Sequence, residues 1–168
     1  MLPSSKTLEL STILINRARR AGITVSTAES CTGGMLSACI TAIPGSSDVF
    51  SYGFITYSNK SKSALLGIDP ALINKHSPIS KEVAEAMAIG CLRASKAQLA
   101  ISITGIAGPD GGNEQIPVGT VYIGVAKLNK NDFKPVVYNI RLNIEGGRAH
   151  IREEACYTAL QEMCDNIK

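Results

Sequence analysis

The chain has 168 residues, 45% hydrophobic and 18% charged, which suits one folded domain and excludes a disordered segment. Seventeen Lys and Arg against fourteen Asp and Glu leave a net charge of +3 with no long basic run, too little to argue for nucleic acid. No apolar run reaches the ~18–20 residues of a membrane span, and the opening MLPSSKTLEL lacks the basic-then-apolar pattern of a secretory leader.

Leu10, Ile13, Leu14 and Ala18 recur near helical spacing and predict a helix over 5–21, with Gly22 as its C-terminal cap. ITVSTA (23–28) reads as a short buried strand, and 33–43 as a helix ended by Pro44-Gly45. FITYS (54–58) predicts a strand and 59–67 a short helix stopped by Gly67. Ser80 suits the N-cap of a helix over 81–95, in which Val83, Met87 and Cys91 form one stripe. QLAISIT (98–104) is another buried strand. The β-rich runs 119–128 and 134–143 flank NKNDF and predict an antiparallel hairpin. A helix over 147–167 closes the chain. Helices alternating with strands, plus a hairpin, imply a single α/β domain over 1–168. It is expected to be a three-layer α/β/α fold with a mixed sheet of about five to six strands.

Five Cys without CxxC spacing (Cys31, Cys39, Cys91, Cys156 and Cys164) read as free thiols of a reducing, cytoplasmic compartment. His76 and His150 stand alone, with no HxxxH, HExxH or Cys/His cluster, so neither a metal nor a cofactor is expected.

Four segments rich in small polar residues fall at strand ends or helix starts, where ligands bind in open α/β sheets. In AESCTGG (28–34), backbone N–H groups at a helix start can hold an anion. Ser30 and Thr32 can bond a ligand or merely cap the helix. Cys31 is either a nucleophile or a small buried residue. PGSS (44–47) offers two hydroxyls. TYSNKSK (56–62) offers Tyr57, Lys60 and Lys62, with Lys62 placed where a helix dipole favours the neutral amine. TGIAGPDGG (104–112) fits neither GxGxxG nor the P-loop, yet can present N–H groups to an anion. Arg148, beside Gly146-Gly147, is a further anion-binding candidate or a solvated helix-start residue.

AESCTGG, PGSS, TYSN–x–x–K, ITGIAGPDGG and PVGTV occur in that order, and in this combination the chain resembles the CinA C-terminal domain family in its stand-alone form. The resemblance covers roughly residues 8 to 164. It implies hydrolysis of the carboxamide of nicotinamide mononucleotide, an α/β/α fold, no metal and a Ser/Tyr/Lys catalytic set. Carried onto this sequence, the set is Ser47 as nucleophile, Tyr57, and Lys62 as base, with Lys60 as a competitor for that role. Ser30 and Thr104 are implied to line the pocket. Thr32 and Gly33 of the first loop, Gly105 of the second and Arg148 are expected to complete the substrate site. The alternative is a non-catalytic nucleotide-binding or regulatory module linked to competence and DNA damage. A small nucleotide is the expected partner, with neither nucleic acid nor membrane, and the chain is expected to form a homo-oligomer, a dimer.

Overall fold

A computed structural model describes residues 3–129 and 132–167. The elements run α1 (Ser5–Ala21), β1 (Val25–Glu29), α2 (Met35–Thr41), β2 (Phe50–Ile55), α3 (Asn59–Leu66), α4 (Pro70–His76), α5 (Lys81–Ser95), β3 (Leu99–Gly105), β4 (Thr120–Asn129), β5 (Asp132–Asn143) and α6 (Arg148–Asp165). Five strands form one sheet in the order β2-β1-β3-β4-β5. β1 is parallel to both β2 and β3, whereas β4 is antiparallel to β3 and β5. The expected mixed sheet and hairpin are present; Lys130 and Asn131 lie outside the described residues.

Strand alternation sorts side chains onto two faces. Leu99, Ile101 and Ile103 join Val121, Ile123 and Val125 on one face, beneath α1, α2 and α6. The other face carries Ala28, Ala100 and Ala126 beneath α5, with Leu66 and Ile73 from α3 and α4. These small residues let α5 lie close to the sheet, and Ser102 Oγ donates to the Ala84 carbonyl at 2.6 Å. The result is three layers, as the alternation of elements implies. No helix among the described residues is long and apolar enough to cross a membrane.

Two elements depart from the sequence reading. β2 begins at Phe50 and ends at Ile55, earlier than the expected 54–58. A helix, α4, stands where none is expected, with Asp69 accepting from the Ala71 N–H at its N-cap and Pro70 as its first residue.

The connections set the site. β1 leads to β2 through α2 on one face, and β2 leads to β3 through α3, α4 and α5 on the other. A crevice therefore opens beyond the C-terminal ends of β1 and β3, where crossovers diverge.

Gly90 fixes α3 against α5. A Cβ there would lie 2.3 Å from the Leu66 carbonyl oxygen. Gly90→Ala is expected to destabilise the protein by about 1–3 kcal/mol in urea melts, overpacking outweighing alanine's better helix propensity. Unchanged stability would show that the two helices part without cost.

Candidate active site

β1 ends at Glu29, so Ser30 emerges at the crevice. Its N–H donates to the Ile103 carbonyl at 2.9 Å, tying the loop to β3. β2 is tied to the same corner by the Thr56 N–H, which donates to the Glu29 carbonyl at 2.7 Å. α3 then starts cleanly, because Ser58 and Ser61 cap it reciprocally.

Lys62 lies on the inner side of α3, and helical side chains lean toward the N-terminus. Its amine consequently returns to the strand ends, donating to the Thr56 carbonyl at 3.0 Å and to Ser30 Oγ at 3.1 Å. The residue is only 2% exposed and has no carboxylate partner among the described residues. Burial favours the neutral amine and lowers its pKa, against a smaller opposing effect from the Cys31 thiol.

A cavity of about 280 Å³ opens over this pair. Ser30, Cys31, Tyr57, Lys62, Thr104, Gly105 and Arg148 all contribute to its walls. Thr104 Oγ1 donates to the Pro78 carbonyl at 2.8 Å, fixing the end of β3 beneath the loop that enters α5. Gly105 allows that end to meet β4 closely, since a Cβ would lie 2.6 Å from the Thr120 carbonyl oxygen. Arg148 straps the rim: Nη1 donates to the Gly108 carbonyl at 2.7 Å and Nη2 to the Tyr57 hydroxyl at 3.3 Å. Gly147 precedes its helix as the N-cap and offers no side-chain cap, so the first N–H groups of α6 remain open beside it.

Ser47 is not part of this assembly. It is exposed in the turn Ser46–Asp48 that precedes β2, and the pocket lies beyond the far end of that strand. Six residues of β2 span roughly 20 Å. The PGSS turn instead receives Arg19, which donates to the Gly45 carbonyl at 3.1 Å and pairs with Asp48 at 3.0 Å. The hydroxyl beside Lys62 is that of Ser30, at 3.1 Å, and not that of Ser47, which the sequence reading puts forward. Lys60 is exposed and borders a separate groove between α3 and α4. Of the two lysines, Lys62 faces the pocket.

Thr32 and Gly33 are also set apart from the cavity. Thr32 is wholly buried, and its carbonyl accepts from Arg152 Nη2 at 2.7 Å. Gly33 is exposed, turning the chain at φ +59°. The anion site expected at this helix start is filled from within. Glu29 accepts from the N–H groups of Gly34, Leu36 and Ser37 at 3.0, 3.0 and 2.8 Å. Cys31 stays a thiol, since burial pushes its pKa up to about 11. No group of three or more His, Cys, Asp or Glu suited to a metal occurs among the described residues.

The arrangement places a serine hydroxyl, a buried amine and an anchored guanidinium around one small cavity. Similar proteins were found at the levels of sequence and fold. The model of the CinA C-terminal domain matches residues 7–167. The nicotinamide-nucleotide amidohydrolase PncC of Escherichia coli (strain K12) is 40% identical over 162 residues, covering 96% of this chain and 95% of that protein. A CinA-like protein of Geobacter sp. (strain M21) is 47% identical over 142 residues, 84% of this chain but 33% of that protein. The chain thus spans a third of the length of such relatives. The crystal structure of the competence/damage inducible protein CihA from Agrobacterium tumefaciens superposes with a TM-score of 0.92 at 36% identity, covering 98% of both chains.

Proposed function

The chain belongs to the CinA C-terminal domain family, and on that premise we propose that it hydrolyses the carboxamide of nicotinamide mononucleotide, giving nicotinic acid mononucleotide and ammonia. One observation carries the reading: a lysine amine buried without a counter-ion among the described residues, 3.1 Å from a serine hydroxyl in a strand-end cavity. A purely binding or regulatory module leaves that arrangement unexplained, because burying an unpaired amine is costly.

Neutral Lys62 accepts the Ser30 proton as Ser30 Oγ attacks the carboxamide carbon. The Thr56 carbonyl holds the amine in line throughout. The protonated amine then gives its proton to the departing nitrogen, ammonia leaves, and an ester joins Ser30 to the nicotinoyl carbon. Water activated by the same amine cleaves that ester, so one water is consumed for each ammonia released. Tyr57, tied to Arg148, stands at the rim, not beside the reacting oxygen.

Arg148 and the open start of α6 suit the substrate phosphate. Arg148→Ala is expected to raise KM for the nucleotide by roughly 10–100-fold with kcat within a few-fold, matching the loss of charge-assisted hydrogen bonds. The nicotinamide riboside, lacking the phosphate, is expected to be a correspondingly poor substrate. Ammonia release from both compounds by the purified protein tests the reading. No release from the nucleotide would overturn it, and equal kcat/KM for the two would remove Arg148 from phosphate binding.

A further inference from the structure

Glu29 is the last residue of β1, wholly buried, and absent from the chemistry above. A carboxylate there is tolerable only if its oxygens are matched by donors. Four donors match it, all from the start of α2: Oε2 accepts from the Gly34 and Leu36 N–H groups, and Oε1 from the Ser37 N–H and from Ser37 Oγ at 2.7 Å.

The placement of this carboxylate matters more than its matching. Glu29 immediately precedes Ser30, and its partners begin five residues later. The side chain therefore closes a loop around Ser30, Cys31, Thr32 and Gly33. Inside the loop, the Gly33 N–H donates to the Ser30 carbonyl at 3.0 Å and the Met35 N–H to the Thr32 carbonyl at 3.2 Å. Gly33 and Gly34, at φ +59° and +94°, make the reversal that brings α2 back over Glu29. The Cys31 N–H, next to Ser30 at the cavity wall, bonds no other residue among those described. A nucleophile at a strand–turn–helix corner commonly uses the N–H of the following residue to hold the oxyanion.

Resting on the reading of Ser30 as nucleophile, the geometry points to Glu29 as the positioning residue of the site. Its carboxylate sets the height of the Ser30 hydroxyl and holds the Cys31 N–H ready for the oxyanion. It makes no hydrogen bond to Lys62 and does not line the cavity, so it acts on kcat and not on substrate affinity.

Glu29→Gln tests this, because the amide keeps the shape but turns an NH2 group toward N–H donors. For ammonia release from nicotinamide mononucleotide, kcat is expected to fall by roughly 10²–10³-fold, the loss typical of one oxyanion donor, with KM within about threefold. A fluorophosphonate probe reads the nucleophile independently of substrate. Ser30 Oγ bonds to phosphorus as the P–F bond breaks, fluoride leaves and Lys62 takes the proton. Labelling of Ser30 is expected to be at least about tenfold slower in Glu29→Gln, with half-saturating probe concentration unchanged and the melting transition intact.

Parent-like kcat and labelling in Glu29→Gln would overturn the proposal, as would a loss confined to KM. Should Glu29→Gln not fold, Ser37→Ala removes one donor and leaves the three N–H groups. It is expected to lower kcat and labelling by about 3–10-fold, in line with one hydrogen bond, and parent-like rates would overturn the proposal. A parent that labels at Ser30 but releases no ammonia removes the amidase reading alone, and the labelling rates still decide Glu29. A parent that does not label at Ser30 removes both.

Discussion

Ser30→Ala is expected to lower kcat for ammonia release at least ~10⁴-fold, and Lys62→Ala by a similar factor. The two side chains form one proton-transfer unit at 3.1 Å, so the double variant should be little worse than either single one. Ser47→Ala should keep parent kcat, since Ser47 is exposed at the opposite end of β2. Lys60→Ala should also keep it, because Lys60 borders a different groove. Initial rates of ammonia release settle all five variants. An inactive Ser47→Ala with active Ser30→Ala would return the nucleophile to the PGSS turn. Multiplying losses in the double variant would mean that Ser30 and Lys62 act separately.

The second large effect is on pH dependence. Burial lowers the Lys62 pKa from its ordinary 10.5. Activity should therefore rise with pH as Lys62 loses its proton, with a midpoint below 10.5. Stability follows the same proton. At low pH the folded and unfolded chains both carry it, and the folded chain bears the cost of a buried charge. As pH rises through the folded pKa toward the unfolded value, the unfolded chain holds more protons and stability climbs. Lys62→Met abolishes this contribution. Its stability relative to the parent should be greatest at low pH and should decline as pH rises through the folded pKa. The slope carries the test, because the Thr56 carbonyl loses its donor at every pH. Urea melts from about pH 6 to about pH 10 measure it, and a difference that does not change with pH would mean Lys62 is not buried as an uncompensated amine.

The element order was legible because caps and periodicity agreed: Ser80 does accept from the Val83 N–H, and Gly22 and Gly67 are left-handed ends of α1 and α3. Lys62 was singled out by the family resemblance together with its place near the start of α3, and the structure buries its amine at the strand ends. The choice of serine was not. A hydroxyl before a parallel strand and one after it lie at opposite ends of the sheet. Ser47 precedes β2 and Ser30 follows β1, so strand direction decides between them. The role of Glu29 was hidden because it depends on α2 folding back over the residue before the nucleophile. The start of β2 was obscured by Ser51 and Gly53, residues with little strand preference of their own. α4 is seven residues long, too short to impose a periodicity, although Asp69-Pro70 is a start signal.

β2 is bonded on one side only, and most of its residues are exposed, whereas β1 and β3 are interior strands. Ser30 thus hangs from the most protected part of the sheet and Lys62 from the least. Amide hydrogen exchange should report this division, with β1 and β3 slow and β2 and α3 faster. On warming, a local opening of β2 and α3 would carry Lys62 away from Ser30 while the remaining layers stay assembled. Activity should then fade some degrees before the cooperative loss of circular dichroism, and return on cooling as long as the central strands have not opened.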